Sequence, residues 1–436
     1  MRPMNFEEHL KRYLSDKQIE ELLNAMDGET VHCLLLNTKK MSEERFLSLF
    51  PNVKPHPFVE HAFFYDKDEY EFGKDPLYDM GVYSIQDSSS MMVAYFLNPK
   101  PGERVLDLCA APGGKTIGAS LTMEDKGLII SNDLSYARAK DLSQNVERMG
   151  LGNILVCSND FSKIYRDFEG YFDKIILDAP CSGSAMFRKN DLAKLDWEYE
   201  KVVTLSNVQK GLIELAYFML APGGTVSYST CSFSYEENEE VMLDLKAHHP
   251  EAIFVNLEDD PSFYHDPSLP EGIHFFPNLF KGEGQYLCLI KKPGESKLSH
   301  YIGKGVKQYD SFFASYGLEA RDNEVFHEAG YSLTEKVETK KLNLLRYGVH
   351  CFDIKEKRIE PDHHLSHYVD KDKTIALTKE EAERFIRGEA FPLKGEEGFQ
   401  IVSYLDIPLG FVKIVHGLAK NHYPKGLRRQ KFSLVE

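Results

Sequence analysis

Between about residues 87 and 290, short apolar runs alternate with amphipathic segments of helical length, and most of the runs stop at a carboxylate or a cysteine. Repeated strand and helix units of this kind dictate an α/β fold: a mostly parallel sheet with helices on both faces. Strands are predicted over 104–108, 127–132, 153–157, 172–177, 224–229 and 285–290, with a helix through 91–97 ahead of them. Open parallel sheets bind ligands beyond the carboxyl ends of their strands, so the residues just past each strand carry the information. Here they are the run 107–116 (DLCAAPGGKT), then Asp133, Asp160, Asp178 with Cys181, and Cys231, which puts three further carboxylates and two cysteines on one rim.

The loop Cys109, Ala110, Ala111, Pro112, Gly113, Gly114, Lys115 is built of small residues and opens a helix. Such a loop lets backbone come close to a ligand and turns helix N–H groups outward. A phosphate loop would need a glycine where Cys109 stands, although Gly114, Lys115 and Thr116 fit its second half. The dinucleotide pattern G-x-G-x-x-G is absent too, while Asp133 at the end of the second strand suits a ribose with both hydroxyls free. S-adenosylmethionine meets both demands, since it carries a ribose and an adenine but no phosphate. Alone, Asp133 or Asp160 reads equally well as a strand end or helix cap; their recurrence at successive strand ends is the stronger signal.

Seven cysteines, Cys33, Cys109, Cys157, Cys181, Cys231, Cys288 and Cys351, are scattered and never form C-x-x-C. That argues against a disulfide framework and a structural metal site, and for a reducing cytoplasm. Cys33, Cys157, Cys288 and Cys351 read as small buried hydrophobes. Cys181 and Cys231 instead follow strand ends among small and hydroxylic residues, where a thiol faces the cleft and backbone N–H groups lower its pKa. A thiolate so placed can add to carbon 6 of a cytosine, making carbon 5 nucleophilic enough to attack a sulfonium methyl. An acid near ring nitrogen 3 would stabilise that adduct, and Asp178 is the best placed. A second thiol can assist release. From position alone, which thiol attacks stays open. The base must be flipped or single-stranded.

Outside this stretch the chain is less legible. Ser15-x-x-Gln18 predicts a capped helix through Ile19, Leu22, Leu23 and Met26, followed by a strand over 31–36. After Pro293-Gly294 a linker is expected, then a helix capped by Thr378-x-x-Glu381 and ended by Gly388, and strands over 399–404 and 410–415. The expected divisions are 1–85, 86–292, 293–370 and 371–436. A net charge of −16 speaks against a protein that coats nucleic acid. Yet the stretch 411–436 holds six cations, Lys413, Lys420, Lys425, Arg428, Arg429 and Lys431, against Glu436 alone, with His422 and Tyr423 among them. The segment reads as a local RNA contact, with a solvated basic tail as the alternative. No signal peptide and no membrane span is expected.

At the motifs 107–116, 178–184 (DAPCSGS) with Met186, Phe187, Arg188 and Lys189, and 229–240 (STCSFSYEENEE), the chain resembles the Nop/Sun family of RNA cytosine-5 methyltransferases. It is most like that family's bacterial small-subunit ribosomal RNA methyltransferase F branch, and the likeness takes in 86–91 (QDSSSM) and spans about 81–291. The resemblance implies a seven-stranded class I (Rossmann-like) methyltransferase sheet with an antiparallel last strand, between a small N-terminal α+β domain and C-terminal α+β and PUA-like domains. It implies S-adenosylmethionine on residues 109–115, Asp133, Asp160 and Asp178, with Cys231 as nucleophile and Cys181 aiding release. The N-terminal and PUA-like domains would bind RNA, with Arg188, Lys189, Lys420, Lys425, Arg428 and Arg429 as candidate contacts. Ala185 and the run into Asp191 depart from the family pattern and put only local RNA contacts in question. The expectation is a monomeric enzyme acting on ribosomal RNA of the small subunit or its precursor. Its rivals are a tRNA methyltransferase, an RNA-binding assembly factor with a vestigial domain, and a phosphate-loop NTPase.

Overall fold

A computed structural model describes residues 5–189, 194, 197–295, 309–316, 318, 323–326, 329–333, 341–356 and 358–429. The chain begins with helices α1 (Phe6–Leu10) and α2 (Asp16–Met26), the second closed by the Ser15 and Gln18 capping box. An antiparallel sheet follows, ordered β2-β3-β1-β4, from β1 (Cys33–Leu36), β2 (Lys54–Pro55), β3 (Ala62–Phe64) and β4 (Tyr83–Gln86). Strand β1 is shorter than the predicted 31–36 because the Val31 N–H donates to the Glu283 carboxylate instead of to a strand.

Helix α3 (Ser88–Leu97) leads into the large sheet, made of β5 (Arg104–Asp107), β6 (Leu128–Asn132), β7 (Ile154–Cys157), β8 (Phe172–Asp178), β9 (Leu220–Thr230), β10 (Ile253–Phe254), β11 (Ile273–His274) and β12 (Tyr286–Lys291). Its inner strands are parallel and β12 runs antiparallel against β9. Successive residues point to opposite faces: Leu106, Ile130, Leu155, Ile175 and Tyr228 enter one core, Val105, Ile129, Val156, Ile176 and Leu287 the other. Each large apolar side chain so buried contributes about 1.5–3 kcal/mol. That both faces are covered explains why the strands read as unbroken apolar runs.

The sheet exceeds the expected seven strands, because β10 and β11 add to β12 and a ninth strand, β15 below, covers the β7 edge. Beyond residue 309 come β13 (Asn323–Phe326), β14 (Ala329–Ser332), β15 (Leu344–Tyr347), β16 (Val349–Lys355) and β17 (Arg358–Pro361). Strand β15 pairs antiparallel with β7, so the expected linker region completes the large sheet. Arg346 concealed it: a charged residue in a short run argues against a buried strand. Here its guanidinium is buried against Glu147, Ser143 and His364.

The last sheet, built from β18 (Thr374–Ala376), β19 (Phe391–Pro392), β20 (Gly398–Tyr404), β21 (Ile407–Val415) and β22 (Leu418–Asn421) in the order β18-β20-β21-β22-β19, is backed by a helix, Lys379–Arg387, that Gly388 closes at φ 85°. It shares one hydrophobic core with the N-terminal domain, where Leu34, Phe46 and Phe72 meet Phe385, Val412 and Tyr423. Arg429 locks this contact by donating to Gly73 O, Asp75 O and the Asp79 carboxylate. Burial pushes the Asp79 carboxyl up to about 7, with Arg429 opposing the shift. Among the described residues no helix is long and apolar enough to cross a membrane.

Candidate active site

Strand order reverses between β5 and β8, so the loops that follow these two strands open side by side. After β5, Ala110 N–H donates to Asn132 O at 2.7 Å, and Arg138 and Asn145 hold the carbonyls of Ala111 and Pro112. Gly113 has φ 114°, where any other residue would be strained, and a Cβ there would sit 2.8 Å from Leu142 Cδ1 and push that side chain aside. Helix 114–122 then starts with its free N–H groups at the cleft. Burial pushes the Cys109 thiol well up, making it a wall rather than a nucleophile. Burial also pushes the Asp107 carboxyl up to about 7 while Thr116 Oγ1 donates to it at 2.7 Å.

Asp133 is buried at the next strand end. One carboxylate oxygen accepts from Ser135 N–H; the other has no hydrogen bond, although Arg138 Nη1 lies 3.4 Å away. Leu134 beside it is 73% exposed, an apolar side chain open at the rim that the sequence reading passed over. Asp160 stands at the surface, where it accepts from Ser162 and pairs with Lys163 at 3.1 Å, the geometry of a helix cap. Asn132, also unforeseen, donates to Leu108 O and Asn159 O and accepts from Asn159 N–H, tying three rim loops together.

Past β8, Asp178 is held on both oxygens: Lys115 Nζ at 2.8 Å on one, Ser229 Oγ at 2.8 Å and Gln285 Nε2 at 2.9 Å on the other. Lys115 also donates to Ser90 Oγ at 2.8 Å. Burial works against its charge, but Asp178, with smaller contributions from Cys231 and Asp107, outweighs it and raises the pKa. The 86–91 motif is thereby explained. Asp87 caps α3 and receives Glu283 N–H, Ser88 donates to Lys281 O, Ser89 accepts from Gly284 N–H, and Ser90 steadies Lys115.

The Cys181 and Cys231 sulfurs lie 3.2 Å apart, both thiols free and half-buried. The expected lowering of pKa fails for Cys181: its hydrogen bond to Cys231, then burial, raise it well above the usual thiol range. Either sulfur can be the donor in this contact. Behind the pair lies Glu237, fully buried and not singled out by the sequence reading, which accepts hydrogen bonds from Ser182 and Ser232.

The candidate RNA contacts divide. Arg188 is only 8% exposed and pairs with Glu283 at 2.7 Å while donating to Ala25 O, Glu29 O and Gly282 O. Arg428 donates to Tyr423 O, and Arg429 sits in the domain contact described above. These three guanidiniums are engaged within the protein. Lys189 is partly exposed near Glu283, and Lys420 and Lys425 are exposed. Lys431, Glu436 and Asp191 lie outside the described residues. Glu283→Ala would leave the Arg188 charge buried without its partner; a cost of about 3–5 kcal/mol is expected, read as a lowered thermal midpoint, whereas Lys425→Ala should leave the midpoint unchanged.

Three family models match: "16S rRNA methyltransferase RsmB/F" over residues 94–291, "N-terminal domain of 16S rRNA methyltransferase RsmF" over 3–88, and "Methyltransferase RsmF PUA domain" over 372–429. The chain is 31% identical to a ribosomal RNA small subunit methyltransferase F of Enterobacter sp. (strain 638), covering 90% of this chain and 89% of that protein. A protein of the same name from Shewanella piezotolerans is 30% identical, with 92% of each chain covered. Among solved structures, a methyltransferase homolog protein from Pyrococcus horikoshii superposes with a TM-score of 0.56 at 25% identity, covering 65% of this chain and 93% of that one.

Proposed function

The chain belongs to the 16S rRNA methyltransferase RsmB/F family, and on that premise we propose that it transfers a methyl group from S-adenosylmethionine to carbon 5 of a cytosine in small-subunit ribosomal RNA, through a covalent cysteine adduct. The observation that carries this reading is the pair of free thiols 3.2 Å apart on neighbouring strand ends, in the cleft that also holds the anchored Asp178 carboxylate.

The residues present fit the cofactor. The buried Asp133 oxygen, which has no hydrogen bond beside its ion pair with Arg138, has room for donors, which ribose hydroxyls provide. Residues 109–115, Asp160 and Asp178 complete the proposed site, and the exposed Leu134 offers an apolar surface for a purine. When bound, the cofactor supplies the activated methyl group. Cys231 adds its sulfur to carbon 6 of the target base. Asp178, held in place by Lys115, Ser229 and Gln285, relays a proton from the Lys115 ammonium to ring nitrogen 3, which neutralises the charge that this addition sends there. Carbon 5 takes the methyl group; water then takes the carbon 5 proton, the C–H electron pair closes the 5,6 double bond, nitrogen 3 returns its proton to the Asp178 and Lys115 pair, and Cys231 leaves carbon 6 as a thiolate. Cys181, keeping its own proton beside that sulfur, steadies it as it leaves.

Residues 1–85 and the PUA-like 371–436 are proposed to hold RNA, with Lys189, Lys420 and Lys425 toward the substrate and Arg188, Arg428 and Arg429 fixing the surfaces that carry them. The protein is proposed to act as a monomer in the cytoplasm. The test is labelled methyl transfer: label should enter the cytosines of small-subunit ribosomal RNA. Binding of RNA without incorporation would identify a scaffold instead, and incorporation into tRNA alone would reassign the substrate.

A further inference from the structure

The two thiols belong to different loops, one after β8 and one after β9, joined further along by Ala185 N–H to Cys231 O at 3.0 Å and Phe233 N–H to Ser184 Oγ at 2.8 Å. Each thiol is followed by a serine, Ser182 and Ser232, and both serines converge on one side chain. Glu237 Oε1 accepts from Ser182 N–H at 2.8 Å, and Oε2 accepts from Ser182 Oγ and Ser232 Oγ at 2.5 Å each. Gln209 Nε2 completes the set at 3.1 Å on Oε1 and also donates to Pro180 O at 2.8 Å, on the residue just before Cys181. Cys231 is bracketed in the same way, because Asn238 accepts from Thr230 Oγ1 at 2.6 Å and donates to Ser232 O at 2.8 Å.

A carboxylate placed where water does not reach is costly unless hydrogen-bonded on all sides. This one is neutralised by donors from the two thiol-bearing loops and Gln209. The Glu237 carboxylate does not touch the base, and nothing in the reaction asks it to exchange a proton. What it does supply is rigidity: bonds to charged acceptors are short and directional, and here they link the loops at one point. Burial raises the Glu237 pKa, and the serine hydrogen bonds oppose that rise.

We propose that Glu237 is a positioning residue that clamps the two thiol loops together and so fixes the contact between Cys181 and Cys231. The inference rests on the reading of these two cysteines as the reacting thiols, and it reaches beyond that reading by naming what holds them in register.

Cross-linking by a thiol oxidant measures the register without any methylation. Diamide takes one hydrogen from each thiol, two electrons in all, and becomes a hydrazine as the Cys181 to Cys231 disulfide forms; peptide mapping reports the bond. In the wild-type protein, with its sulfurs 3.2 Å apart, the bond should form readily. Glu237→Gln keeps the shape but puts an amide donor against serine donors, and should slow cross-linking by about 10–100-fold, as expected when hydrogen bonds to a charged group are lost. Cofactor affinity should hold, and in methylation kcat should fall while KM for RNA stays within about threefold.

Ser232→Ala removes one donor and leaves the carboxylate. It should slow cross-linking less, by about fivefold, and it decides the question if Glu237→Gln does not fold. Cross-linking at the wild-type rate in folded Glu237→Gln, or in Ser232→Ala where the first variant is not recovered, would overturn the clamp. A wild-type protein whose two thiols never join would overturn it as well. Slowed cross-linking in a protein that methylates no RNA would instead leave the clamp standing and sink the proposed reaction.

Discussion

Cys231→Ala is expected to abolish methylation, by about 10⁴-fold or more as for other lost nucleophiles, while binding of S-adenosylmethionine stays at the wild-type level. The side chain is half-buried and packs at the margin of a cluster that includes Phe233 and Phe276, so trimming one sulfur leaves the fold in place. Cys181→Ala should behave differently. Addition to the base needs only Cys231, but departure then lacks the protonated thiol 3.2 Å away. A protein and RNA adduct that survives denaturing electrophoresis should accumulate in Cys181→Ala and be missing from Cys231→Ala. Full activity in Cys231→Ala, or an adduct there and not in Cys181→Ala, would reverse the assignment of the two thiols.

Asp178→Asn is expected to lower kcat by about 10²–10³-fold, the usual scale for losing a positioned acid or a charge-stabilising group. The loss has two sources that a second substitution separates. An amide cannot stabilise the adduct as a carboxyl group does, and it also leaves the Lys115 cation, now 2.8 Å from Asp178, buried without a counter-charge. Removing one partner of a buried pair costs more than removing both. Asp178→Asn combined with Lys115→Met should therefore recover thermal stability relative to Asp178→Asn alone while methylation stays lost. If the double substitution also restored methylation, the role of Asp178 would be to balance Lys115 and nothing more.

These expectations draw on residues that differ in how far a reading of the chain could reach them. The strands, the rim carboxylates and the two thiols were legible because each lies within a few residues of the pattern that announces it. Their partners were not. The run 235–240 holds four acids, and sequence alone does not say where each turns. Glu236 meets Arg12, Glu237 meets Ser182, Glu239 meets His274 at 2.6 Å, and Glu240 meets Lys210 at 3.0 Å. Every one of these partners lies more than twenty residues away in the chain. Arg188 illustrates the same limit in reverse. A cation beside a site motif invites an RNA-facing reading, yet Glu283, 95 residues further on, draws it inside. Arg346 hid a strand for the same reason, since its partner Glu147 belongs to a helix almost two hundred residues earlier.

Strand β15 has a bearing on how the protein is made. All of the proposed catalytic residues and β12 have been translated by residue 291, but the residues that cover the β7 edge follow only at 344–347. At synthesis rates of roughly 5–20 residues per second, the nascent chain spends several seconds with its reactive half assembled and a row of backbone N–H and C=O groups unpaired, open to a neighbouring chain on the same polysome. The late strand thus acts as an end stop, and a protein made as two pieces cut between 292 and 343 would have to receive that strand from the second piece.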